Sequence, residues 1–477
     1  MLHFVQSVAD LSGRSQNIEI LHNAGVIAML RLLMLDVVPS IQQTAALALG
    51  RLTDHSENLA KAVVNQDILP QLVCSVASQT RFYKKAAAFV LRSVAKHSPE
   101  LAYAVVACGG VDAMVLCLED FDPGVKEAAV WALGIVARHN GVLGQGVVDA
   151  GAVPLLIACL REPEMGLKCI AASTLSDISK HTPELAQTVV DSGAIPHLAQ
   201  MILNPDAKLK RQVFSALSHI SQHSVCLAEM VVEANIFPAA IACLRDPDEY
   251  VRKNTSTLMR EVVKHTPELS QVIVNCGGMA AMVDYLSNCS GNFRLPGIMM
   301  LGYVSAHSER LAMAVIVSKG VQLLARCMSE ESKQHIKAAI AWSVGQIGHH
   351  TPEHAKAVST SGLLPKLLQL YMDAGSSEDL QIKSKKALKS VLQRCTDLSS
   401  LVPLLYEAPC NILKHVVCHG ALAKLQEIKA DPDSLLQEYI NIINCCFPEE
   451  IVLYYSPEFN IFFIYGMHMQ FSYFQFV

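Results

Sequence analysis

The sequence has 477 residues, which is long enough for two or three globular domains or for one elongated array of repeats. Apolar residues make up 51% and charged residues 17%, so the chain has ample material for a buried core and does not have the composition of a disordered protein. The net charge of −5, without a long run of one sign, argues against a nucleic-acid-binding protein, which normally carries a basic excess.

The predicted elements follow a histidine that recurs every 42 residues. It is found at His55, His97, His139, His181, His223, His265 and His307, and the next copy, His350, comes one residue late. A period in the forties is typical of stacked units of two or three helices. We therefore expect a truncated helix over residues 1–13, about eight or nine repeats over residues 14–395, and one inserted residue before His350.

Each period contains three predicted helices, of which the first follows the histidine. Thr182, Pro183 and Glu184 are suited to an N-cap, a first helical residue and an acidic first turn. Gly193 is expected to end this helix, because glycine tolerates the left-handed conformation of a helix stop. The same position holds Gly25, Gly109, Gly151 and Gly277, with Asp67, Asn235 and Lys319 as the exceptions.

The second helix is predicted to begin at Ile195 and Pro196 and to stop near Asn204–Pro205, which we expect to cap the longer third helix. Equivalent caps are expected at Asp122–Pro123, Glu162–Pro163 and Asp246–Pro247. The third helix is expected to end at the histidine. No unit of this size can bury its apolar faces alone, so neighbouring units must stack into a superhelix.

This pattern resembles the armadillo repeat family, which implies an all-α fold: a right-handed superhelical armadillo-repeat solenoid with three helices per ~42-residue repeat. Roughly residues 4–456 are also similar to armadillo-repeat proteins of the axonemal central apparatus. The runs that carry this similarity are LDVVPSIQQTAALALGRL, RFYKKAAAFVLRSVAKHSPELA, CLEDFDPGVKEAA, MILNPDAKLK, RLPGIMMLGYV and YINIINCCFPEEIV.

The resemblance implies a non-enzymatic scaffold in the cytoplasm and axoneme of motile cilia and sperm flagella, which supports flagellar motility. The implied partners are central-apparatus proteins, microtubules or microtubule-associated proteins, with no cofactor, nucleic acid or small-molecule substrate. Two alternatives stay open. One is a general armadillo adaptor of nuclear transport or cell junctions; the other is an enzyme or regulated subunit with its site in residues 396–458.

The repeat pattern weakens after residue 370. Residues 396–458 are predicted to form an irregular, partial helical repeat, because Pro409 and Gly420 lie closer together than the equivalent positions of a full unit. Residues 459–477 form an aromatic tail without Asp, Glu, Lys or Arg. Polar residues interrupt this tail, so we interpret it as a divergent terminus rather than a membrane anchor.

The recurring histidines are not predicted to bind a metal ion, because successive layers lie ~10 Å apart whereas zinc requires nitrogen ligands at ~2 Å. We expect each histidine to meet the carbonyl groups and the dipole at the end of its own third helix. The 15 cysteines include no CxxC pair and are predicted to be free thiols of a reducing compartment. The sequence contains no GxSxG, GxxxxGK[ST] or HExxH motif, so no enzyme is predicted.

The candidate partner-binding residues include a basic row, which lies five residues before the position of Trp131 in seven successive third helices and is broken by Gln42 in the helix before them. The simpler interpretation is a solvated first turn. Cations at a helix N-terminus oppose the dipole, however, so the row indicates either ion pairs between layers or an acidic partner such as the tubulin surface. The basic row consists of Lys84, Lys126, Lys168, Lys210, Arg252, Arg294 and Lys337.

Trp131 and Trp342 occupy one shared position of the third helix and are the other candidates for partner binding. Nuclear import adaptors with the armadillo fold use a tryptophan at this position, with an asparagine four residues later, to hold basic peptides. Ile135 and Gln346 stand in place of that asparagine. The import groove is therefore absent, and the interpretation as packing residues is preferred to that as ligand clamps.

Overall fold

The computed structural model of this chain describes residues 1–74, 76–395, 425–432, 434–445 and 452, and no strand occurs in that part of the chain. The helices follow one another as two short helices and one longer helix per period. The predicted all-α fold with three helices per repeat is therefore confirmed.

The first helix of most repeats begins after a hydroxyl or amide side chain that caps it. The Thr182 hydroxyl accepts a hydrogen bond from the Leu185 N–H at 3.3 Å, and Pro183 occupies the first helical position, as the sequence predicts. The first helices are Ser15–Asn23, Glu57–Asn65, Pro99–Ala107, Gly141–Asp149, Pro183–Asp191, Val225–Glu233, Pro267–Asn275, Glu309–Val317 and Pro352–Ser359.

The second helix starts within one or two residues of a left-handed residue that ends the first helix. Gly193 has φ +86°, and the three non-glycine exceptions, Asp67, Asn235 and Lys319, also have positive φ. The predicted helix stop is thus confirmed in both its rule and its exceptions. The second helices are Val26–Leu33, Ile68–Cys74, Gly110–Cys117, Ala152–Cys159, Ala194–Met201, Phe237–Cys243, Gly278–Ser287, Gly320–Glu330 and Leu363–Met372.

The third helix is the longest in most repeats and carries the tryptophans and the basic row, except that Arg294 directly precedes its helix. These helices are Pro39–His55, Arg81–Ala95, Pro123–Ala137, Met165–Ser179, Ala207–Ser221, Glu249–Val263, Leu295–His307, Gln334–Gly348 and Glu378–Leu392, and Leu2–Leu11 precedes them at the start of the chain. Short 3₁₀ helices at Val76–Ser78 and Gly291–Phe293 lead into two of them, and a separate α-helix spans Leu435–Cys445.

The predicted cap of the third helix is correct at Asp122 but is two residues too early at Asn204–Pro205. The N-cap there is Asp206, whose carboxylate accepts from the Leu209 N–H at 2.8 Å. The Asn204 side chain instead accepts from the Asp206 N–H at 2.9 Å, which closes a turn before the helix begins. The expectation for Asp246–Pro247 is wrong for the same reason, since the cap is Asp248.

The layers are built by contacts between neighbouring third helices. The chain divides into two units, Met1–His265 and Thr266–Val477. In each unit, every described third helix packs on that of the next repeat. The interior of the stack is apolar, with Leu49, Leu91 and Leu217 fully buried.

Most of the C-terminal predictions concern residues outside the described part of the chain. The aromatic tail at 459–477 lies wholly outside it, and of the partial repeat at 396–458 only residues 425–432, 434–445 and 452 are described. Pro409 and Gly420 are not among them.

Candidate functional site

The recurring histidine joins adjacent layers rather than capping its own helix. The Nε2 atom of His97 lies 2.7 Å from the Thr53 carbonyl oxygen, at the end of the preceding repeat's third helix. A carbonyl oxygen only accepts, so Nε2 carries the hydrogen. The same bond, to a carbonyl 44 or 45 residues earlier, is made by His139, His181, His223, His265 and His350. The expectation that each histidine meets its own helix is corrected accordingly.

Burial favours the neutral form of several of these rings. It lowers the pKa of His181, His265 and His350, although the hydrogen bond to the carbonyl oxygen acts in the opposite direction. A neutral ring with its hydrogen on Nε2 still donates to the carbonyl group. These histidines therefore satisfy helix-end carbonyl groups across the layer boundary, which is a structural role.

Four members of the basic row form ion pairs between layers. The Lys84 Nζ lies 2.7 Å from the Asp120 carboxylate, and each of these cations meets an acid 36 residues further along, in front of the next third helix. The other pairs are Lys126–Glu162 at 2.5 Å, Lys210–Asp246, and Arg294–Glu330 at 2.7 Å. Of the two explanations left open by the sequence, the structure shows interlayer pairing for these four.

The other three members of the row are placed differently. The Arg252 guanidinium donates to the backbone oxygens of Asp246, at 2.7 Å, and Pro247, at 3.0 Å. Lys168 has Asn204 rather than an acid 36 residues further on. Neither Lys168 nor Lys337 has an ion-pair partner in the described part of the chain, and both are half-buried. The use of the row by a partner stays a prediction.

Trp342 packs against its neighbours. Its ring meets Tyr303 edge-on, with 4.9 Å between the ring centroids, and a Cβ atom built at Gly302 would overlap the indole. The ring also lines a groove of about 360 Å³ together with Gln346 and Lys386. The Trp342 ring therefore packs against its neighbours and can also be reached from the surface through this groove.

Trp131 differs because 47% of its surface is exposed and its ring face is already covered. The Arg92 guanidinium carbon lies 3.9 Å from the Trp131 ring centroid and 4.9 Å from that of Phe89 on its own helix. We call Phe89, Arg92 and Trp131 the arginine stack.

Sequence reasoning missed Arg92, although its register gives a signal. The aromatic ring of Phe89 lies over Gly50, which is 39 residues earlier, and Trp342 lies over Gly302. Arg92 lies 39 residues before Trp131, at the repeat position equivalent to Gly50 and Gly302. The indole of Trp131 therefore meets an arginine where the other two aromatic rings lie over glycine. An arginine at the position where Gly50 and Gly302 lie beneath the other two aromatic rings marks the stack.

Comparison with known proteins agrees with this architecture. The model of the Armadillo/beta-catenin-like repeat family matches residues 98–138, 147–180 and 182–222. Sperm-associated antigen 6 of Homo sapiens and of Mus musculus are each 71% identical to this chain over 475 residues. These alignments cover 96% of this chain and 93% and 94% of the human and mouse proteins. The chain belongs to the sperm-associated antigen 6 family.

The fold of this sperm-associated antigen 6 relative also resembles solved structures. A crystal structure of an engineered protein, 21% identical, superposes with a TM-score of 0.73 and covers 89% of this chain and 98% of that one. At that identity the likeness concerns the fold alone. Armadillo repeats form a repeat-based interaction scaffold, which is not a typical enzyme fold.

Two absences hold for the described residues of this family member. No single helix there has both the length and the apolarity of a membrane span, although four bent pairs of helices reach them together. The same residues contain no group of three or more His, Cys, Asp or Glu side chains placed to hold a metal ion.

Proposed function

We propose that this protein is a non-enzymatic scaffold of the central apparatus of motile cilia and sperm flagella, which binds axonemal or microtubule-associated proteins and supports flagellar motility. The observation that carries the proposal is the 71% identity with sperm-associated antigen 6 over 96% of the chain. The proposed location is the axoneme, within the cytoplasm and cytoskeleton.

The side chains support a binding role rather than a catalytic one. The recurring histidines and most of the basic row are engaged in contacts between layers. A stack of repeats offers an extended surface, because each repeat contacts only its neighbours and leaves one face of each helix open. Such a surface suits a scaffold that must hold several proteins.

Within the basic row, Lys168 and Lys337 are the members that best suit an acidic partner. Their ammonium groups have no ion-pair partner in the described ranges, unlike that of Lys126, which reaches Glu162 at 2.5 Å. Charge reversal at Lys126 would break an interlayer contact as well as any partner contact. Lys168→Glu and Lys337→Glu therefore test the surface more directly.

Co-sedimentation of the full-length chain with axonemal microtubules tests the proposal. We expect the protein in the microtubule pellet, with less retained for the Lys168→Glu/Lys337→Glu variant and with wild-type retention for Lys208→Glu, which changes an exposed lysine outside the row. A protein that stays in the supernatant, or that instead binds a basic import peptide, would favour the nuclear adaptor.

Localisation in ciliated cells provides the second measurement. The tagged full-length chain is expected along the axoneme, and a version without residues 459–477 should show whether the aromatic tail contributes. Diffuse cytoplasmic or nuclear signal from both versions would contradict the central-apparatus role.

A further inference from the structure

The arginine stack leaves a cation ready to bind. The Arg92 guanidinium is half-buried against the rings of Phe89 and Trp131, and it has no hydrogen-bond or ion-pair acceptor among the residues that the structure describes. Asp54 acts on it electrostatically, but the Asp54 carboxylate is bound by Lys96 at 2.6 Å. The N–H donors of Arg92 are therefore unused within the described part of the chain.

The packing holds this guanidinium in place. Phe89 lies over Gly50, where an added Cβ atom would overlap the ring, so the phenyl group is fixed on one side. The Trp131 ring also lies against the guanidinium, with its centroid 3.9 Å from the guanidinium carbon. A planar guanidinium held against aromatic rings keeps N–H groups at its edge, in the arrangement that carboxylates bind with two parallel hydrogen bonds.

A second free cation lies on the same face as Trp131. Arg138 comes seven residues after Trp131, which corresponds to about two turns of helix and ~10 Å along the axis. Arg138 is exposed and has no ion-pair partner in the described residues. Lys96 and Lys180 occupy the same register in the adjacent repeats, but Asp54 and Asp177 neutralise them.

The charges determine what can occupy this surface. The Trp131 ring already receives a cation from Arg92, so it cannot clamp a lysine of a partner as the import adaptors do. Two unpaired guanidinium groups would also repel a basic peptide. A partner segment whose carboxylates reach both guanidinium groups complements their charge, and its apolar atoms can cover the exposed rim of the indole.

We propose that Arg92, Trp131 and Arg138 form a docking site for an acidic, extended segment of a partner protein. This inference rests on the proposed function only in requiring a protein partner, and it names the chemistry of that partner. The segment's carboxylates bind the Arg92 and Arg138 guanidinium groups, and its backbone or an apolar side chain packs on the rim of Trp131.

The fluorescence of Trp131 tests the site directly. The chain has two tryptophans, so Trp342→Phe in the full-length protein leaves Trp131 as the only one. Titration of this variant with an octaglutamate peptide should give a saturable change in emission. Arg92→Gln and Arg138→Gln should each weaken binding about tenfold, because each removes one charge-assisted contact.

Arg161→Gln is the matched control, because it removes the same charge from an exposed arginine in the loop before Met165–Ser179. Its affinity for octaglutamate should equal that of the parent. Equal affinities for all three variants, the same loss in Arg161→Gln, or equally tight binding of octalysine would each overturn the proposal. Circular dichroism verifies that the variants fold, and Arg138→Gln changes only an exposed side chain.

The two proposals fail separately. Loss of octaglutamate binding would remove this docking site while leaving co-sedimentation with microtubules unaffected. Failure to co-sediment would remove the axonemal role while leaving saturable, arginine-dependent binding of octaglutamate as evidence for the site.

Discussion

At the scale of single residues, a long cationic side chain links each of several repeats to the next one. The sequence predicts the basic row. It also shows that these cations oppose the dipole at the helix N-terminus, and ion pairing between layers is one explanation for their presence. It could not identify the acids, because the partner of Lys84 is 36 residues away and is chosen by how the repeats stack. Arg92 escaped prediction for the same reason, since its ring partner Trp131 lies in the next repeat.

The Lys210–Asp246 pair should be the most important of these links for stability. Only 12% of the Lys210 side chain and 6% of the Asp246 side chain are exposed, so Lys210→Ala leaves a carboxylate buried without its cation. We expect a loss of about 3 kcal/mol in the free energy of unfolding. Lys168→Ala is the matched control because Asn204 stands at its partner position, and its effect should stay within about 0.5 kcal/mol. Amide hydrogen exchange in Ala207–Ser221 and Met165–Ser179 measures both effects locally, and equal effects of the two substitutions would contradict the assignment.

At the scale of helices, the sequence predicts the short first helices better than the start of the third. The N-cap Thr182 and the stop at Gly193 follow from local chemistry, and so do left-handed exceptions such as Lys319. The third-helix cap at Asp206 was displaced because two residues that both suit a cap, Asn204 and Asp206, compete. In the fold Asp206 caps the helix, and Asn204 closes the preceding turn.

Among the described residues, Glu164 is the one acid in this cap register without a capping bond. Asp122, Asp206 and Asp248 each accept from the backbone N–H three residues later, whereas Glu164 makes no such bond and its Oε2 atom is buried without a partner.

Glu164→Asp should therefore stabilise the protein by about 1 kcal/mol, because the shorter side chain can reach the Leu167 N–H. Urea unfolding followed by circular dichroism measures the change. Glu249→Asp, which alters an exposed acid in a first turn, is the control and should have little effect. A lower midpoint for Glu164→Asp would show that the longer side chain is required where it stands.

At the scale of the whole molecule, the repeat period predicts stacking because a unit of three helices cannot bury its own apolar face. The predicted armadillo fold is confirmed for that reason. The period also reveals the recurring histidine, but not its role. Its acceptor lies 44 residues earlier for His97, and only the stacked structure brings that carbonyl to the ring. The same hydrogen bond recurs between successive layers, so protonation of the histidine rings affects the stack at several points.

Stability should therefore fall as the pH is lowered below neutrality. Burial lowers the pKa of His181, His265 and His350 in the folded chain, so the unfolded chain, in which a histidine has a pKa near ~6.5, takes up protons first. The contribution of these rings is complete above the unfolded pKa and is lost as the pH falls towards the folded pKa. We expect the urea midpoint to decrease between pH ~7.5 and ~5.5, a range in which most carboxylates stay ionised.

The double substitution His181→Gln/His265→Gln should flatten this pH dependence, because glutamine can donate to the same carbonyl groups but does not titrate. The control is His22→Gln, which removes an exposed histidine of a first helix and should leave the slope unchanged. The measurement is the urea midpoint of each protein across that pH range. An unchanged slope in the double variant would assign the acid sensitivity to groups other than the histidines that join the layers.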